Sequence, residues 1–225
     1  MPQEYEAKFL DITPADKKRI TDKIIELGGA LVHEKIMLKR TVYKLCSDIK
    51  GYARVRDEGF GNVTMTTKTY ADPKFPEENE VAIKDTYEKG CKFMASLGII
   101  PKAKQESYRE KWSHPLAHEI TFDTLPGLPT YMEVDCTTED HLVKLIDILN
   151  LNKDKMRFGA FDATYEEYYG IEKDIINNHT ASLTFSNILN EIKPTKNKEL
   201  LEKIAKGVKS KSKSKSKSKS KSKSK

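Results

Sequence analysis

Residues 4–9 read Glu-Tyr-Glu-Ala-Lys-Phe. In an extended chain successive side chains point to opposite faces, so Glu4, Glu6 and Lys8 share one face while Tyr5, Ala7 and Phe9 share the other. A period of two is a strand. One such strand is ordinary, with its apolar side on a core and its charged side in water. The fold turns on whether other segments repeat the pattern with complementary charge.

Four further segments do. In GYARVR (51–56), Arg54 and Arg56 fall on one face with Tyr52, and Ala53 and Val55 on the other. In NVTMTTK (62–68), Thr64, Thr66 and Lys68 align. Glu78 and Glu80 repeat the acidic spacing, as do Glu133 and Asp135 in YMEVDC (131–136), where Met132 and Val134 take the opposite face. A sheet closed into a barrel alternates inward and outward residues along every strand, so these stripes suit a barrel with a charged interior. Paired carboxylates favour hard cations such as Mg²⁺ or Mn²⁺. Arg and Lys make charge-assisted hydrogen bonds to phosphate oxygens. Together they are the inventory of a polyphosphate site, in which metals offset the charge that develops during in-line attack by water.

The other elements surround this set. TPADKKRITDKIIELGG (13–29) carries an N-cap Thr13, Pro14 at the first helical position and closing glycines, with Ile20, Ile24 and Leu27 as its apolar stripe. Strands are expected around 35–45, 51–56, 62–70, 78–83, 103–112, 119–123 and 130–136; DEGFGN and LPGLP mark turns. Helices are expected from Tyr87 to Gly98 and over TEDHLVKLIDILNL (138–151). Short connections make the sheet mostly antiparallel and the class α+β. Residues 1–170 are expected to form the functional body, 171–208 a helical extension with TASLTFSNILNEI and TKNKELLEKIAKG as its clearest helices, and 209–225 a disordered tail.

The net charge of +6 comes from that tail, a strict Lys-Ser alternation with nine lysines; without it residues 1–208 carry −3. A basic nucleic-acid footprint is therefore confined to the tail. Three widely spaced cysteines and five histidines without ligand spacing suggest neither a disulfide framework nor a zinc site. With no apolar run near the roughly 20 residues that span a bilayer, a soluble intracellular protein is expected.

Taken in order, EYEAK, YARVR, TMTTK, the E-x-E of EENE and YMEVD resemble the CYTH superfamily, the triphosphate tunnel metalloenzymes, over about residues 1–169. The resemblance implies an antiparallel β-tunnel with helices outside, holding a triphosphate and a divalent metal, Mg²⁺ or Mn²⁺. It implies that Glu4 and Glu6 hold the catalytic metal, with Glu80 (or Glu78 in another register), Glu133 and Asp135 completing the acidic side. Lys8, Arg54, Arg56 and Lys68 become phosphate ligands, joined by Arg109 of SYREKW or its competitor Lys104; Asp123 matches an aspartate of the family. Two departures stand out: Thr41-Val42-Tyr43 lacks the acidic residue frequent in the family's second strand, and ATYEEYY (163–169) lacks the preceding lysine.

The family's activities include hydrolysis of inorganic or thiamine triphosphate and cyclisation of ATP. No residue set here offers adenine or ribose recognition, and Trp112, the one tryptophan, reads as core; hydrolysis asks least of the site. The alternatives are an RNA 5′-triphosphatase, with the basic tail as a weak, salt-sensitive RNA contact, an adenylyl cyclase, or a non-catalytic polyphosphate or nucleotide binder.

Overall fold

The computed structural model describes residues 5–46, 48–69, 77–158 and 161–207. Glu4 and the Lys-Ser tail lie outside the described residues.

The alternating segments form strands β1 (Tyr5–Phe9), β2 (Ala30–Lys44), β3 (Gly51–Asp57), β4 (Val63–Thr69) and β5 (Glu77–Ile83). They continue as β6 (Pro101–His114), β7 (Ala117–Thr124), β8 (Tyr131–Cys136), β9 (Met156–Arg157) and β10 (Ser182–Leu183). The strand order is β5-β4-β3-β2-β6-β7-β8-β1-β9, antiparallel throughout, with β10 alongside β6 in parallel. Among the described residues β5 and β9 are the two edges, so the sheet is open rather than a closed barrel. It is strongly curled. Side chains bridge strands two places apart: Lys35 Nζ on β2 reaches Thr124 Oγ1 on β7 at 3.2 Å, and Arg109 Nη2 on β6 reaches Glu133 on β8 at 3.1 Å.

The outer face carries the apolar half of each alternation. Helices α1 (Pro14–Glu26) and α3 (Glu139–Ile148) bring Ile20, Ile24, Leu142 and Leu145 onto Ala7, Phe9, Ile120, Phe122, Met132 and Val134. Trp112 belongs to this core, as its lone occurrence suggested. Helix α2 (Tyr87–Ser96) covers the other half of the sheet with Met94 against Tyr43, Ala53, Val55 and Val63. Gly90 permits that approach: a Cβ there would come within 2.9 Å of Ile83 and Val55 side chains.

Beyond β9 the chain differs from the expected helical extension. After α4 (Phe161–Tyr169) come a π turn (Ile175–His179), β10, a four-residue α5 (Ile188–Glu191) and α6 over 198–207. TASLTFSNILNEI is thus helical only over Ile188–Glu191. Its Ala181 O accepts from Lys104 N–H of β6 at 2.9 Å, and β10 lies beside the first half of β6, which β7 leaves unpaired. Tyr165, Tyr169, Ile176, Leu183, Ile188 and Leu201 bury together with Leu10, Leu125, Leu128 and Tyr131 of the body. The extension therefore shares a core with the sheet. No helix among the described residues is long and apolar enough to cross a membrane.

Candidate functional site

The concave face collects the polar half of every alternation. Pairing fixes which residues stand together: Lys8 opposite Glu133 and Glu6 opposite Asp135 across β1 and β8, Arg54 opposite Thr66 and Arg56 opposite Thr64 across β3 and β4. Across β4 and β5, Thr66 meets Glu80 and Lys68 meets Glu78. On β6, Arg109 faces Asp123 of β7 and shares a face with Gln105 and Ser107. Lys104, one residue out of phase, takes the opposite face.

Acid and base interlock. Lys8 Nζ lies 2.6 Å from Glu6 and 3.2 Å from Glu133. Arg109 grips Asp123 with two bonds, Nε to Oδ1 at 2.9 Å and Nη2 to Oδ2 at 2.6 Å, and reaches Glu133 at 3.1 Å and Glu119 at 3.3 Å. Lys111 closes on Glu119 at 2.5 Å. On the far wall Arg54 contacts Glu78 at 3.1 Å, Glu80 at 3.3 Å and Thr66 at 3.1 Å; Lys68 meets Glu78 at 3.3 Å, and Arg56 pairs with Glu58.

Burial sets the electrostatics. It works against the charge on Lys8, but Glu133 and Glu6 outweigh it and raise the pKa; for Arg109, Asp123, Glu133 and Glu119 overcome burial in the same direction. Burial, with Asp123 next to it, lifts Glu133 above the usual carboxylate range. Glu80 goes the other way: burial would raise it, but Thr66, Arg56 and Arg54 hold it low. Two buried polar atoms on this face, Arg56 Nε and Thr64 Oγ1, have no hydrogen-bond partner among the described residues.

Glu6, Lys8, Arg109, Glu133 and Asp135 are thus brought together on β1, β6 and β8. Arg54, Arg56, Lys68 and Glu80 sit on β3 to β5, and Glu80 contacts Thr66 and Arg54 rather than the β1–β8 carboxylates. Three inward residues escaped the sequence reading: Arg40 on β2, Lys111 on β6 and Glu119 on β7. The Arg109-x-Lys111 spacing was a signal for the second; Arg40 had none, because its neighbours at period two are Leu38 and Val42.

The donor set of Glu6, Glu133 and Asp135 is all carboxylate oxygen, which fits Mg²⁺ or Mn²⁺ in chemistry. Among the described residues no group of three or more His, Cys, Asp or Glu side chains is already gathered to hold a metal. In this state Glu6 and Glu133 are engaged by Lys8, and Glu133 also by Arg109.

No family model matches the chain, and no curated protein does. Solved structures do. A putative adenylate cyclase from Vibrio parahaemolyticus aligns with TM-score 0.58 at 13% identity, over 71% of this chain and 95% of that one. The PH1012 protein of Pyrococcus horikoshii aligns with TM-score 0.53 at 17% identity, over 69% and 94%. The PH1819 protein of the same organism gives 0.51 at 21%, over 73% and 99%. At these identities the likeness is one of fold: the curled antiparallel sheet with helices outside is common to all of them.

Proposed function

We propose that this protein hydrolyses a triphosphate, inorganic or carried by a nucleoside or thiamine, in a reaction that depends on Mg²⁺ or Mn²⁺. The observation that carries this reading is the concave face itself, where Lys8, Arg54, Arg56, Lys68, Arg109 and Lys111 stand among carboxylates on adjoining strands of one curled sheet. A surface whose only task is solubility has no need to bury Lys8 and Asp123 to 6% and 2% exposure.

The arginines and lysines would bind and orient the phosphate chain, exchanging their present carboxylate partners for phosphate oxygens, with Arg109 and Arg54 offering forks for two oxygens each. Glu6, Glu133 and Asp135, joined by Glu4 from the same sequence stripe, would hold the metal. A bound divalent cation supplies charge neutralisation for the leaving group and a more acidic water. Ligand binding would separate the internal ion pairs, leaving the acids to the metal and the bases to the phosphates.

The test is phosphate release from inorganic triphosphate, ATP, thiamine triphosphate and triphosphate-ended RNA, with Mg²⁺ and with Mn²⁺, alongside detection of cyclic nucleotide. Turnover that requires the metal and disappears in Glu4→Gln/Glu6→Gln supports the reading. Tight triphosphate binding with no product from any substrate would replace it with a binding protein, and cyclic nucleotide from ATP would make it a cyclase.

A further inference from the structure

Among the described residues, Arg40 is an inward-facing cation that the ion-pair network leaves out. Lys8, Arg54, Arg56, Lys68, Arg109 and Lys111 each have a carboxylate within ion-pair distance. Arg40 has none among the described residues. Its Nε donates to Gln105 Oε1 at 2.5 Å, and its guanidinium lies 5.3 Å from the centre of the Phe161 ring. Burial, then Arg54 and Arg56 close by, lower its pKa to about 10. An arginine placed deep among other arginines without a counter-charge is costly unless something else supplies one.

A cavity of about 50 Å³ has Arg40, Arg56, Gln105, Glu106, Arg109 and Leu125 among its lining residues, more than the roughly 15 Å³ that one water needs; Glu106 accepts from Phe185 N–H and makes no ion pair with Arg40. Arg56 Nε, buried without a hydrogen-bond partner among the described residues, belongs to the same group. Leu125 is also part of the core built by the extension, with Tyr131, Tyr165 and Leu201. Tyr165 Oη anchors that layer by donating to Pro126 O at 2.6 Å. The core built by the extension thus reaches the cavity at Leu125, and three arginines line it.

We propose that Arg40 is the ligand for the free terminal phosphate of the triphosphate, and that residues 161–207 make the phosphate channel blind, so that the site takes only chains with one unesterified end. This rests on the triphosphate reading above and narrows its substrate class. A tetrahedral oxyanion with three non-bridging oxygens suits three convergent guanidinium groups; a phosphate esterified on both sides has neither the charge nor the room.

Titration of inorganic triphosphate, with and without Mg²⁺, into the wild type, Arg40→Gln, Arg40→Lys and Arg54→Ala decides it, with diadenosine triphosphate as the probe lacking a free end. Expected are at least tenfold weaker triphosphate binding by Arg40→Gln, partial recovery in Arg40→Lys, and at least tenfold weaker wild-type binding of diadenosine triphosphate. The melting temperature of Arg40→Gln should stay at or above wild type, since an uncompensated cation has gone; a purely structural arginine would lower it. If Arg40→Gln does not fold, Arg40→Lys decides, weakened binding supporting the proposal and wild-type binding overturning it. Weakened binding in Arg54→Ala with wild-type affinity in Arg40→Gln overturns the role of Arg40 and leaves the triphosphate reading intact. Equal binding of diadenosine triphosphate overturns the blind end. A wild type that binds no triphosphate under either condition brings down the triphosphate reading, and the proposal with it.

Discussion

Replacing Arg109 with methionine removes the hub of the concave face while keeping most of its stem. Its guanidinium reaches Asp123, Glu133 and Glu119, and Asp123 has 3% side-chain exposure. Without Arg109 these carboxylates face each other across β7 and β8 with little water to screen them. Breaking a buried pair by deleting one partner costs about 3–5 kcal/mol; with the arginine itself 25% exposed, the lower end applies, about 3 kcal/mol. For a chain of this size that corresponds to a fall in melting temperature of roughly 6–12 °C. The sign of the pH dependence follows. Glu133 already lies above the usual carboxylate range and loses a counter-charge in Arg109, so the folded variant binds a proton there more readily than the unfolded chain, and the deficit shrinks as pH falls from 8 towards 5. Thermal denaturation of both proteins at pH 8 and pH 5 measures it. A melting temperature within 2 °C of wild type at pH 8, or a deficit that grows on acidification, would refute the reasoning.

Gly127 has φ of +78°, and a Cβ there would lie 2.5 Å from Leu201 Cδ1; Gly127→Ala should cost at least about 1–2 kcal/mol and speed proteolysis within 171–207, as limited digestion would report. Thr13 and Asp16 form a reciprocal cap on α1, so Thr13→Ala should cost about 1 kcal/mol by chemical denaturation and leave triphosphate affinity unchanged. His114 is 7% exposed, burial lowers its pKa, and its Nδ1 accepts from Leu116 N–H at 3.1 Å. The unfolded chain takes up that proton first, so stability should decline below about pH 6.5, and His114→Leu should flatten this part of a melting-temperature profile.

The face assignments were legible in the sequence because period two leaves no freedom: once Ala7 and Phe9 are buried at 0% and 1%, Glu6 and Lys8 must point the other way. The same rule separates Arg109 from Lys104 without any knowledge of tertiary contacts. Arg40 was not legible, since a lone charge between Leu38 and Val42 makes no stripe, and its position matters only once the sheet curls and Phe161 comes over it. Residues 180–192 misled because Phe185, Ile188 and Ile192 recur at steps of three and four, which a helix face also allows. What makes Ser182–Leu183 a strand is the unpaired half of β6, a partner nearly 80 residues away in sequence. The openness of the sheet was hidden for a similar reason, since alternation fixes faces but not whether the first and last strands meet.

The most direct measurement is kcat/KM for inorganic triphosphate with Mg²⁺, wild type against Arg54→Ala. Glu78 and Glu80, which pair with Arg54, are 31% and 38% exposed, so water can solvate them after the substitution and the fold should hold. A lost two-pronged charged hydrogen bond to phosphate is worth about 3 kcal/mol, on the order of a hundredfold in rate. The account expects metal-dependent turnover in the wild type and a loss of that size in a variant that melts within a few degrees of it. Undiminished turnover in Arg54→Ala, or none in the wild type, would contradict a concave face built to hold and cleave a triphosphate.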